Sequence, residues 1–123
     1  YAYKDLLERS GRIALGTDFP VENVSPFKTF YAATVRKDAE QYPERGYLPE
    51  NKLSSIEALK GMTIWGAYAN FEDNEKGTIE VGKVADFIIL DRDILTIAEK
   101  RILKARVVAT LLDGQIVYNN RFN

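Results

Sequence analysis

The apolar pattern of this chain changes period once, between residues 70 and 78, and that change limits the folds open to it. Before it, apolar side chains recur at helical spacing around one short apolar run. After it, strand-length apolar runs are bounded by glycines and an Asp-Gly pair. Helical and strand periods place side chains on different faces, so one stretch cannot serve both. The first part therefore reads as α/β and the second as mostly β.

Tyr3, Leu6 and Leu7 fall at i, i+3 and i+4, and Gly11 stands where that helix should stop. Arg12 to Gly16 follows as a short buried strand, so helix, glycine and strand make the αβ half of a βαβ unit. Pro20 and Pro26 bracket a loop. Ser25 is placed to cap the next helix, with Pro26 at its first position, and Phe27, Phe30, Tyr31 and Val35 form the apolar stripe of a helix reaching about Lys37. Asp38 to Lys52 reads as a surface loop. Ser54 and Glu57 form a capping box, and the helix behind them is expected to run unbroken to Tyr68 or Ala69. Gly77 and Gly82 then bracket Thr78 to Val81. Strands are expected at Ala85 to Asp91, Ala105 to Leu112 and Gln115 to Tyr118, the last two joined by an Asp113-Gly114 hairpin turn.

Composition removes several function classes. Seventeen Lys and Arg nearly balance eighteen Asp and Glu, which leaves no field to recruit nucleic acid or an acidic membrane. No apolar run is long enough to span a bilayer. The absence of cysteine excludes disulfides, zinc fingers and thiol nucleophiles. Nothing encodes a compartment, so the cytoplasm stands as the default.

Asp18 is the candidate catalytic and metal-ligating residue. It lies just past the C-terminal end of the Arg12 to Gly16 run, the rim where parallel sheets and barrels place their chemistry. A carboxylate there serves as a metal ligand or general base, and both roles ordinarily need imidazole partners, which this chain lacks. The competing reading is that Asp18 bonds its own backbone in a turn. Gly16 would let the backbone pass close to the site, and Phe19 and Pro20 would stiffen and shield it. The Asp38 to Arg45 cluster reads as a solvated loop, with substrate gating as its alternative. Trp65, Phe27, Phe30 and Tyr31 read as core, and Asp86 as a backbone-bonding residue. Arg36 either lines a pocket or complements a helix end.

An ordered set of local patterns resembles the amidohydrolase superfamily, in the branch called amidohydrolase family 3. The carriers are Gly16-Thr17-Asp18-Phe19-Pro20-Val21, Pro26-Phe27, Ser55-Ile56-Glu57-Ala58-Leu59 and Thr63-Ile64-Trp65-Gly66-Ala67-Tyr68-Ala69. They continue through Glu75 to Phe87 and end with Asp113-Gly114-Gln115-Ile116-Val117-Tyr118. The resemblance implies a (β/α)8 barrel with a small β-sandwich. Residues 1–76 would be the C-terminal portion of the barrel, with Arg12 to Gly16 as its eighth strand, and residues 77–123 the C-terminal strands of the sandwich. It further implies one or two divalent metals, usually zinc, that activate water to hydrolyse an amide-type C–N bond of a small molecule. In that chemistry Asp18 would contact the metal, accept a proton from the bound water and return it to the leaving nitrogen.

The family's other metal ligands are histidines and often a carboxylated lysine on earlier strands. The chain is therefore expected to be the C-terminal part of a longer enzyme, inactive and metal-free by itself. The alternative is a non-catalytic assembly module. A lone eighth strand and half a sandwich leave backbone edges exposed, so at least a homodimer is expected. A biotinyl or lipoyl carrier is excluded, because the hairpin tip Asp113-Gly114 holds no lysine.

Overall fold

The computed structural model describes residues 1–120. It is a small α/β structure with five helices and a three-stranded antiparallel sheet among those residues: α1 (Tyr3–Ser10), α2 (Pro26–Val35), α3 (Ser55–Met62), α4 (Ile64–Ala69), β1 (Phe87–Leu90), α5 (Glu99–Ile102), β2 (Val107–Leu112) and β3 (Gln115–Asn119). No helix among the described residues is long and apolar enough to cross a membrane.

The helical half closes around Phe30 and Val35, the two largest fully buried side chains. Leu7, Ile13, Tyr31, Leu53 and Ala58 join them. Ile102 of α5 is buried in the same cluster, and Ile94, Leu95, Ile97 and Leu103 pack against it. The segment between β1 and β2 thus belongs to the interior of the first half, although the sequence places it among the strands. Glu99 reinforces this docking by lying 3.8 Å from both Lys37 and Lys52.

Asp113 and Gly114 both have positive φ, 49° and 75°, as a two-residue hairpin turn matched to strand twist requires. The Asp86 carboxylate accepts from the Asp113 backbone N–H at 2.7 Å, and the Ala85 carbonyl accepts from Gly114 at 3.0 Å. Asp86 therefore has the backbone-bonding role read from its position. Ile88, Thr110 and Tyr118 align across the sheet.

Three expectations are altered. Residues 12–16 form no strand and belong to no ladder, because the described residues place no strand beside them. The helix expected from Ser55 to Ala69 is broken at Thr63, whose φ and ψ are −128° and −99°. The Thr63 hydroxyl donates to the Leu59 carbonyl at 2.7 Å there, a bond that competes with regular helix geometry. Helix α2 stops at Val35 because Arg36 turns left-handed, with φ 62°.

The capping box is present in full. The Ser54 hydroxyl accepts from the Glu57 N–H, and the Glu57 carboxylate accepts from the Ser54 N–H. Lys4 of α1 adds a 2.6 Å ion pair to Glu57. That lysine, and then the Ser54 N–H, hold the Glu57 carboxyl below its ordinary value. A depressed folded-state pKa contributes stability that is complete above the unfolded value and lost as pH falls through the folded one. Glu57→Gln is therefore expected to lower the denaturation midpoint at pH 7. The gap to the parent chain should narrow at pH 3.5, and a pH-independent gap would contradict the assignment.

Candidate active site

Asp18 reaches its place through a chain of close packing. Ile13 is buried, Leu15 packs beside it, and the Leu15 N–H donates to the Gly61 carbonyl of α3 at 2.9 Å. Gly61 permits this approach. A Cβ there would lie 2.8 Å from Leu15 Cγ and 3.0 Å from the Ile13 carbonyl oxygen. Residues 13–15 are thus pinned on α3, and the chain turns away at Thr17 and Asp18.

The turn itself is built without the Asp18 carboxylate. Asp18 has φ 52°, a left-handed conformation that aspartate tolerates better than most residues. Its carbonyl accepts from the Val21 N–H at 2.8 Å. The side chain that bonds the local backbone is that of Thr17, whose hydroxyl accepts from the Phe19 N–H at 3.3 Å. The Asp18 carboxylate is exposed and has no hydrogen-bond or ion-pair partner among the described residues. The turn-capping alternative therefore has no support from its side chain.

Asp18 lines a cleft of about 580 Å³. Gly16 and Thr17 line it beside Asp18, Val21 and Glu22 from the loop, Lys28 and Thr29 from α2, and Tyr3 from α1. Phe19 is not among the lining residues and is 64% exposed, so it does not shield the cleft as expected. A Cβ on Gly16 would meet open space, so close passage does not explain that glycine within the described residues. Ser25 precedes α2 without a capping hydroxyl bond, and its own N–H donates instead to Asn23 Oδ1 at 2.9 Å.

A second depression, of about 630 Å³, contains Asp91, Arg92, Lys104 and Arg106. Its carboxylate is fully engaged. Arg92 donates to both Asp91 oxygens, at 2.9 and 2.6 Å, and the Arg106 N–H donates to Oδ1 at 2.9 Å. The Arg92 guanidinium, and then the Arg106 N–H, hold the Asp91 carboxyl down to about 2. So acidic a group is a poor base near neutral pH. Asp91 ties the end of β1 to the start of β2, and the unengaged Asp18 remains the better candidate.

The other singled-out residues have structural work. Arg36 donates to the Tyr47 carbonyl at 2.9 Å and accepts from the Tyr47 N–H at 2.7 Å, so it clamps the 38–52 loop and does not line the Asp18 cleft. Asp38 accepts from the Tyr42 N–H, while Gln41 donates to the Tyr31 hydroxyl. These bonds favour the bland reading of that loop over gating. Phe30 and Tyr31 are core, with Trp65 packed against it.

No group of three or more His, Cys, Asp or Glu capable of holding a metal ion is found among the described residues. Two carboxylates, Asp18 and Glu22, without a histidine do not make a metal centre, so the donors of this cleft do not fit one unaided. Glu22 and Lys28 were not singled out from sequence. The available signal was their position, within ten residues after Asp18 in the same loop and helix start.

A sequence profile described as "Amidohydrolase family" matches residues 1–118. The chain belongs to the amidohydrolase family. Among curated relatives, it is 31% identical to "Protein LONG AFTER FAR-RED 3" of Arabidopsis thaliana over 96% of this chain and 20% of that protein. It is 30% identical to "N-substituted formamide deformylase" of Arthrobacter pascens over 96% of this chain and 21% of that protein. It is 33% identical to "5-methylthioadenosine/S-adenosylhomocysteine deaminase" of Thermoanaerobacter pseudethanolicus over 94% of this chain and 28% of that protein. This amidohydrolase chain thus spans between a fifth and little more than a quarter of the length of these relatives.

Proposed function

We propose that this chain forms one segment of a metal-dependent hydrolase that cleaves a non-peptide C–N bond in a small molecule, and that Asp18 is its catalytic carboxylate. The observation that carries the reading is an unpartnered carboxylate at the lip of a cleft, held there by the packing of residues 13–15 on Gly61. Family membership and relatives named for deformylation and deamination support the reaction class.

Asp18 accepts a proton from the attacking water as its oxygen bonds to the electrophilic carbon, then delivers that proton to the nitrogen as the C–N bond breaks. A carboxylate free of internal partners can make both transfers. The divalent ion of this reading, zinc in the first instance, needs donors outside this sequence, and no step is assigned to it here. Residues 1–76 would supply the last strand and helices of a (β/α)8 barrel, and residues 77–123 strands of a small β-sandwich. The 123 residues alone are expected to show no turnover. The deciding experiment is turnover by the longer enzyme carrying Asp18→Asn, and undiminished turnover overturns the reading.

The sheet favours a second reading, a non-catalytic module that assembles through its strands. Ile88, Ile89, Leu112, Ile116, Val117 and Tyr118 are all between 43% and 62% exposed, divided between the two faces of three adjacent strands. Apolar side chains left open on both faces gain by being covered. Sedimentation of the chain over a concentration series is expected to show a dimer or higher species, and a monomer at the highest concentration would remove this reading.

A further inference from the structure

We infer that Lys28 is a specificity-determining residue, receiving a carboxylate carried by the substrate at a distance from the scissile bond. The inference rests on the hydrolase reading of the Asp18 cleft and adds the substrate class. Among the described residues, three charged side chains line that cleft: Asp18, Glu22 and Lys28. Lys4, Lys37, Lys52, Lys76 and Lys83 are each held by a glutamate. Lys28, like Lys60, Lys100 and Lys104, has no such partner among the described residues, and of these four it is the one that lines the Asp18 cleft.

This charge pattern orients a substrate. Asp18 and Glu22 repel an anionic end, while the Lys28 ammonium attracts it. Thr29, the next residue and also lining the cleft, supplies a hydroxyl donor for the same carboxylate. An amide with a carboxylate at one end therefore docks in one direction, its anion on α2 and its C–N bond toward Asp18. A neutral amide lacks that preference.

The test compares N-acetylglycine with N-acetylglycinamide, which differ only in replacing a carboxylate by a carboxamide. Backbone amide shifts of Thr17, Asp18, Lys28 and Thr29 in the full chain report binding. N-acetylglycine is expected to bind more tightly by up to about fivefold, the gain of one partly screened ion pair. Lys28→Met should abolish the difference and Lys28→Arg should keep it. Equal affinities, a difference that survives Lys28→Met, or shifts that fall outside the cleft would each overturn the inference. None of these outcomes touches the Asp18→Asn turnover result, so the two readings fail separately.

Discussion

Asp18→Asn in the longer enzyme is expected to lower kcat by about a hundredfold to ten-thousandfold, the usual contribution of a positioned acid–base group. The amide is nearly the size of the carboxylate but cannot take up a proton at neutral pH. Loss of fold cannot account for such a drop. Asp18 is exposed and makes no side-chain bond, and asparagine adopts φ near 52° as readily as aspartate does. The unfolding free energy is therefore expected to move by no more than about 0.5 kcal/mol. Steady-state kinetics and a denaturant titration on the same preparation decide the matter. A large kcat loss with unchanged stability supports the assignment, and unchanged kcat removes Asp18 from the chemistry.

Gly77→Ala is expected to destabilise the chain by about 3 kcal/mol, combining overpacking with a left-handed backbone. Gly77 has φ 95°, and a Cβ there would lie 2.8 Å from Ile64 Cα and 2.9 Å from Ala67 Cβ. The first of these atoms is α4 backbone and cannot rotate aside. Gly82→Ala is the matched control. Its φ is 94° and a Cβ there meets nothing within 4 Å, so only the conformational cost remains, about 1 kcal/mol. Thermal denaturation of the pair separates packing from backbone strain. Equal losses would mean that the turn at Gly77 does not press on α4.

The elements legible from sequence are those whose signals are local. Ser54 and Glu57 lie three residues apart and make their capping box wherever the helix sits. Asp113-Gly114 carries its turn within two residues. Helix α2 was legible from its apolar stripe, although the expected Ser25 hydroxyl cap is absent and the Ser25 N–H donates to Asn23. Features that depend on distant partners were not legible. Helical spacing runs through Thr63, and the break is accompanied by its hydroxyl bond to Leu59 and by its N–H donating to the Lys60 carbonyl. Leu15 to Gly61 is a contact across the fold, so the small size of Gly61 had no evident cause in its own helix. Asp18 was legible as a position. The composition of its cleft was not, because Tyr3 of α1, Glu22 of the loop and Lys28 of α2 are brought together only by the fold.

Helix α2 carries Lys28 and Thr29 near its start, while Phe30, Tyr31, Ala33 and Val35 farther along are buried. Ile102 shares that interior, and Lys37, just beyond the helix, faces Glu99. The helix is therefore a beam whose inner end is seated by the sheet-bearing part of the chain and whose outer end frames the cleft. A change in how α5 beds down would tilt that beam and shift Lys28 relative to Asp18, so residues between 94 and 103 have a mechanical link to the cleft.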